Sequence, residues 1–178
     1  LIHLRNDVYD RMTFKNIPAI YPPIAQYVFT VSYFFFENNI IGLKLIYLLC
    51  EILSMVFILK LLSLKKIPLN RIILYAWLPL PIMEYFINAH IDPLVIVFVI
   101  AFVYFSEKKS LKYAAIFLAL SVLSKLVSLI LLPLVIKQFG IKKSFSFIMI
   151  FIAVLFAGYF PFVYDDVNVL TAITKYLS

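Results

Sequence analysis

Glycine, cysteine and charge are all scarce in this chain. Of its 178 residues, three are Gly, one is Cys and 14% are charged, whereas 65% are hydrophobic. A soluble domain is about 25% charged, so the composition excludes a water-soluble enzyme, a disordered tail and a disulfide-bonded scaffold. Few glycines also argue against a glycine-rich phosphate-binding loop. With a mean hydropathy of +1.04, the composition predicts an integral membrane protein.

Several other functional classes lack their signals. No Walker A, GxGxxG, HExxH, CxxC or GxSxG pattern is present, and two histidines are too few for a multi-histidine zinc site. The net charge of +7 does not predict a nucleic-acid partner, because membrane proteins collect basic residues in their cytoplasmic loops. Cys50 lies inside an apolar run and is expected to be a small core residue. The chain starts with a polar stretch at Leu1, and we expect it to be a fragment of a longer protein.

Apolar runs follow one another along the chain, separated by short polar loops. A transmembrane helix needs about 20 residues, so the first run, 24–36, is predicted to be a juxtamembrane helix that does not cross. The predicted fold class is all-α, a polytopic transmembrane helical bundle in a single domain over 1–178. It comprises an external loop at 1–40, transmembrane helices at 41–164 and the start of another external loop at 165–178. The apolar runs are 24–36, 41–63, 72–87, 93–106, 111–136 and 145–164.

The charges predict how the runs cross the membrane. Three loops, at 60–71, 107–112 and 137–143, contain ten of the sixteen basic residues and one acid, which assigns them to the cytoplasm. Region 111–136 must then begin and end in the cytoplasm, so it is predicted to be a hairpin of two short helices with Lys125 at its outer tip. The alternative is one helix with Lys125 inside the membrane, at a cost of about 2.5–3.5 kcal/mol on insertion scales.

The loop before Pro93 contains the densest group of chemically active side chains. Asn88, His90 and Asp92 alternate there, so in an extended loop they share one face. His90 is a candidate for proton transfer, and Asp92 suits a base, a metal ligand or a positioning group. Two alternatives stay open: Asp92 also fits a helix N-cap before proline, and His90 fits an interfacial histidine without a chemical role.

Three more residues are candidates for function. Lys125 at the hairpin tip suits a phosphate, or it extends its ammonium group to the lipid headgroups. Tyr21 precedes two prolines, which start a helix and are predicted to aim Tyr21 into a surface cleft. Glu51, inside a span, is either a functional residue or a polar contact between helices.

Four segments, in this order, resemble the polyprenol-phosphate-dependent mannosyltransferases with the C-type glycosyltransferase (GT-C) fold. They are IPAIYPPIAQ at 17–26, LIYLLCEILSMVFIL at 45–59, LYAWLPLPIMEYFINAHIDPLV at 74–95 and LSKLVSLILLPLVI at 123–136. LRNDVYDRM at 4–12 is similar to the preceding loop of bacterial members. The chain departs from the family at Trp77-Leu78-Pro79, which lacks an Asn, and at Ala89, where the family usually has Gly.

The resemblance implies an integral membrane hexosyltransferase of the bacterial plasma membrane, with its site facing outward. It would transfer a sugar, usually mannose, from a polyprenyl-phosphate donor to a glycan or glycolipid acceptor, with inversion. By motif, the catalytic residues are Asp92 and His90. The substrate-binding residues are Lys125, Tyr21 and Asn88. Glu51 stands where the family has an acid, and the external acids Asp7 and Asp10, which do not match the family's motif, are further candidates.

The resemblance also implies limits on this chain. The family's best candidate base lies upstream of the matching region, so we expect this chain alone to be inactive. The lipid-linked sugar is a substrate, no cofactor is implied and the metal requirement stays open. Two other functions compete: a transporter or flippase segment, with Glu51, Asp92 and Lys125 along the substrate path, and a noncatalytic membrane assembly subunit.

Overall fold

The computed structural model describes residues 21–37 and 39–162. The candidate acids Asp7 and Asp10, and the predicted external loop at 165–178, lie outside the described residues. The described chain is helical without a β-strand, which confirms the all-α prediction. Its α-helices are α1 Pro23–Phe35, α2 Ile41–Leu64, α3 Ile73–Ala76, α4 Pro79–Pro81, α5 Asp92–Glu107, α6 Leu111–Ser124, α7 Leu132–Phe139 and α8 Ile141–Tyr159. Short 3-10 segments cover Leu69–Ile72, Leu126–Leu131 and Phe160–Phe162, and a π-helical turn covers Ile82–Ile87.

Within the described residues, two segments are long and apolar enough to cross a membrane. They are α2 and Ile141–Phe162, with hydropathies of 2.3 and 2.2. Only 22% and 11% of these stretches are buried inside the protein. A core helix of a soluble protein is mostly buried, so these exposed apolar surfaces favour a lipid environment.

The prediction that the run 72–87 forms one continuous helix is wrong. α3 ends at Ala76, Leu78 is extended (φ −67°, ψ 124°), and α4 and the π-helical turn follow. Proline disfavours the helical conformation in the residue before it, and Pro79 and Pro81 donate no backbone hydrogen bond. The break turns the chain before it reaches the loop at 88–91.

The core lies where α6 packs against α5 and α8. Small residues on α6 allow the neighbouring helices to approach closely, and Phe147 and Phe151 of α8 pack against them. A second cluster joins α1, α2 and α5, and it includes the buried side chain of Cys50, as predicted for a core residue. The buried residues of α6 in the first cluster are Ala114, Ala115, Leu118, Ala119 and Val122.

The chain folds back at Lys125, as the hairpin prediction requires. Lys125 is extended (φ −158°, ψ 126°) and interrupts the helix. At the other end of the hairpin, Lys109 Nζ donates to the Gln138 carbonyl at 2.9 Å, and Gln138 Nε2 donates to the Ser106 carbonyl at 2.8 Å. The chain therefore leaves and returns at the same end of the bundle. Gly140, with φ +78°, then makes the turn into α8, in a conformation that favours glycine.

The bundle has two chemically different ends. We call the end formed by 65–71, 107–112 and 137–143 the basic end; there Lys65 forms an ion pair with Glu107. We call the opposite end, with the start of α5 and the hairpin tip, the site end. The rings of Tyr27 in α1 and Phe162 after α8 lie 5.4 Å apart, so both ends of the described chain also meet at the site end.

Candidate functional site

An ion pair joins α5 to the hairpin tip at the site end. Lys125 Nζ lies 2.6 Å from Asp92 Oδ1, across 33 positions of sequence. The two side chains are 48% and 34% exposed, so a ligand can reach both charges. Asp92 is the first residue of α5, Ile91 is the N-cap, and no side chain caps the helix. The N-cap interpretation of Asp92 is therefore wrong, because its carboxylate bonds Lys125 instead.

Serine hydroxyls fix the hairpin tip against α5. Ser121 Oγ lies 3.3 Å from the Val95 carbonyl and 2.6 Å from Ser128 Oγ. Both serines are buried, and a buried hydroxyl is costly unless it is hydrogen-bonded. These contacts tie both halves of the hairpin to the first turn of α5. They hold Lys125 beside Asp92, and the sequence prediction did not include them.

Asn88 and His90 gather around Glu84 rather than around Asp92. Asn88 Nδ2 lies 3.5 Å from Glu84 Oε2, and His90 Nδ1 lies 3.4 Å from the same oxygen. The loop is not extended as predicted, because Asn88 is helical and Ala89 has φ +55°. Glu84 was not among the predicted site residues, although its spacing of four from Asn88 is the spacing of side chains that meet on a helix.

The Asp92–Lys125 ion pair and the cluster around Glu84 offer different chemistry. The Lys125 ammonium has three N–H donors and uses one of them on Asp92, so two stay available for an anionic group. The imidazole of His90 lies against the Glu84 carboxylate, an arrangement that suits proton transfer. The site end therefore combines a cation, two carboxylates and a histidine.

Tyr21 lies two residues before the first residue of α1. Its ring contacts Phe29 edge-on at 5.5 Å, and its carbonyl accepts a 3.3 Å hydrogen bond from Gln26 Nε2. The side chain is 43% exposed. No contact in the described part of the chain joins Tyr21 to Asp92 or Lys125, so its predicted place in the site stays a prediction.

Tyr47 is a buried residue that the sequence prediction missed. It lies on α2, one turn nearer the site end than Cys50, which packs against Ile91 and Leu94. Its side chain is fully buried, and its hydroxyl has no hydrogen-bond partner among the described residues. A buried unpaired hydroxyl is costly, which marks Tyr47 as a donor available within the protein.

Glu51 belongs to a separate polar contact. Its carboxylate is 4% exposed and accepts from the Tyr75 hydroxyl, at 3.1 Å to Oε1 and 2.9 Å to Oε2. Glu51 therefore links α2 to α3, as the interhelical alternative predicts, and no cation pairs with it in the described chain. The sequence pattern gave no signal for Tyr75.

Neither a metal site among the described residues nor a similarity to known proteins assigns a function to the chain. No group of three His, Cys, Asp or Glu side chains that could hold a metal ion occurs within the described ranges. No protein-family model, curated protein or solved structure matches the chain. The function is therefore argued from the residues and from the geometry of the site end.

Proposed function

We propose that the chain is the core of an integral, multi-pass membrane glycosyltransferase of the bacterial plasma membrane. It transfers a hexose, with mannose as the first candidate, from a polyprenyl-phosphate donor to a glycan or glycolipid acceptor on the outer face. The polytopic arrangement, with the basic end in the cytoplasm, is part of the proposal. It is supported by the two long apolar segments and by the concentration of lysines at one end.

The ion pair between Asp92 and Lys125 is the observation that carries the proposal. The two residues come from separate elements and meet at the end opposite the basic end. A lysine exposed there can reach the phosphate of a lipid whose tail lies in the membrane. The proposal is also supported by the resemblance of the segment order to the mannosyltransferases, which implies a role for the same two residues.

The proposed reaction assigns a role to each group. Lys125 binds the donor phosphate with its two available N–H groups and stabilises the charge that this phosphate gains when the sugar leaves. Asp92 positions the Lys125 ammonium. The acceptor hydroxyl attacks the sugar from the face opposite the phosphate, which inverts the anomeric centre, and its proton passes to the carboxylate base that the resemblance puts upstream of the matching region. His90, held by Glu84, lines the site.

The test replaces Lys125 by Gln in the complete gene product. The substitution removes the charged donor but keeps side-chain length and polarity. A hydrogen bond to a charged group contributes about 1.5–3 kcal/mol, so we expect a loss of about tenfold to a hundredfold in transfer from polyprenyl-phosphate mannose. Transfer is measured with labelled donor in membranes from expressing cells.

Lys44→Gln is the matched control, because Lys44 lies near the start of α2 and is also partly exposed. It should transfer at the wild-type rate. Asp92→Asn should lower transfer without unfolding the protein, because a half-exposed ion pair contributes at most about 1 kcal/mol to stability. Wild-type transfer by both Lys125→Gln and Asp92→Asn would falsify the site assignment.

A transport segment is the second candidate function. The buried carboxylate of Glu51 favours it, because ionisable residues inside spanning helices often lie on a substrate or proton path. Glu51→Gln separates the two functions. It should abolish substrate uptake if the chain transports, and it should leave transfer within about twofold if Glu51 only links α2 to α3.

A further inference from the structure

An apolar groove lies between α7 and α8, on the surface near the basic end. Its volume is about 530 Å³, within the range of small-molecule and lipid sites. The side chains along it are nearly all hydrophobic, and the groove is open along one side. Its walls are formed by Leu132, Pro133, Val135, Ile136, Ile141, Ser144, Phe145 and Ile148.

Three exposed lysines flank the end of this groove. Lys137 follows Ile136 of one wall, and Lys142 and Lys143 follow Ile141 of the other. No acidic side chain contacts any of them in the described part of the chain. Glu107, the acid of the basic end, is engaged by Lys65. The turn between α7 and α8 therefore carries three positive charges without a counter-charge.

An apolar groove that ends in unpaired lysines is complementary to one class of ligand. An anionic phospholipid presents an acyl chain to the groove and a phosphate to the lysines. Basic pockets between membrane helices on the cytoplasmic side bind such headgroups. A neutral lipid would leave the lysines without partners, and so would an apolar protein segment.

We propose that the groove between α7 and α8 binds one acyl chain of an anionic phospholipid whose headgroup contacts Lys137, Lys142 and Lys143. The proposal depends on the membrane environment of α8 and not on the transferase chemistry at the site end. The bound lipid anchors the return half of the hairpin, because it contacts α7 and α8 on both sides of the Gly140 turn. It thereby stabilises the position of the whole hairpin relative to α8.

Fluorescence quenching by brominated lipids tests the proposal on the full chain. Trp77 is the only tryptophan and is highly exposed, so Trp77→Phe gives a silent background. Phe145→Trp then places a reporter in the groove. Met149→Trp is the matched reporter, because Met149 is exposed on α8 but does not line the groove. Each protein is reconstituted in phosphatidylcholine vesicles that contain brominated phosphatidylglycerol or brominated phosphatidylcholine.

The groove reporter should favour phosphatidylglycerol over phosphatidylcholine by roughly fivefold or more, the effect of one lysine near a headgroup. The Met149→Trp reporter should show equal quenching by both lipids. Combining Lys137→Gln, Lys142→Gln and Lys143→Gln should remove the preference at the groove. Lys66→Gln, which deletes a charge at the basic end in the turn after α2, should keep it.

Three outcomes would overturn the proposal. Equal quenching at Phe145→Trp by both lipids would show that the lysines select nothing. An equal preference at both reporters, or its loss in Lys66→Gln, would show that only the general charge of the basic end attracts the lipid. Absence of quenching at the groove by either lipid would show that protein covers it, either a second copy of the chain or another segment.

Discussion

At the scale of single residues, Ala89 adopts a conformation that suits glycine better than alanine. Its φ of +55° lies in the left-handed region, which costs a residue with a Cβ about 1–2 kcal/mol. The strained backbone turns the loop so that Asn88 and His90 reach back to Glu84.

Ala89→Gly should therefore stabilise the protein. Relief of the left-handed strain outweighs the extra entropy of glycine in the unfolded chain, for a net gain of about 0.5–1 kcal/mol. The measurement is the free energy of unfolding in detergent micelles. Ala153→Gly is the control, because Ala153 is exposed inside α8, and there the same change should destabilise by about 1 kcal/mol. A loss of stability in Ala89→Gly would contradict the strain.

The sequence predicted part of the site at this scale. Asp92 and Lys125 were predicted as site residues and form an ion pair. The environment of His90 was not predicted, because alternation places side chains on one face only in an extended loop. The left-handed Ala89 and the π-helical turn before it depend on tertiary packing, which a local pattern does not encode.

At the scale of elements, Gly158 determines how closely α8 approaches α6. A Cβ at Gly158 would lie 2.6 Å from Cδ1 of Leu123, well inside van der Waals contact. Leu123 is only 1% exposed, so its side chain has little room to move. The glycine therefore allows the close contact of these two helices beside the hairpin tip.

Gly158→Ala should destabilise the packing of α8 on α6. Overpacking in a well-packed core costs about 1–3 kcal/mol, and we expect that loss in the free energy of unfolding. The double variant Gly158→Ala/Leu123→Ala removes the clashing atoms and should lose less than the sum of the two single variants. Additive losses would show that Gly158 and Leu123 do not interact.

The sequence predicted most elements, and the exceptions have physical reasons. The runs 24–36, 41–63 and 93–106 agree with α1, α2 and α5 within two residues at each end, because apolar length is a strong signal. The last run was predicted from 145, but α8 starts at Ile141, because lysines at its first turn lengthen the helix beyond its apolar part. The segment 72–87 was predicted from hydropathy alone, which does not register the two prolines that break it.

At the scale of the whole molecule, the two ends of the bundle predict which loops face each side of the membrane. The chain without Cys50 (Cys50→Ala) provides the background, and single cysteines are placed at Glu37, Asn88, Lys66, Lys109 and Lys142. Cysteines at Glu37 and Asn88, near the site end, should react with an impermeant maleimide in intact cells. Cysteines at the three lysine positions should react only after the membrane is permeabilised, because the proposal puts the basic end in the cytoplasm.

The decisive position in this experiment is Lys142. Lys109 and Gln138 are hydrogen-bonded at 2.9 Å, so both ends of the hairpin must face one compartment. If Lys142→Cys reacts in intact cells while Lys109→Cys does not, the segment 111–139 crosses the membrane, which would contradict the structure. The charge count predicted that both ends of the hairpin face the same compartment. Membrane topology depends on how many lysines and arginines each loop contains, and that number can be read from the sequence without knowledge of tertiary contacts.

A hairpin that enters a bilayer and returns adds nothing to the number of crossings. In the proposed arrangement, α2, the segment 73–87, α5 and α8 then make an even number. An even count returns a chain to its starting compartment, in accord with the contact between Tyr27 and Phe162. Domains fused before α1 and after α8 would thus both share a compartment with Asp92, and a fifth crossing by the hairpin region would separate them.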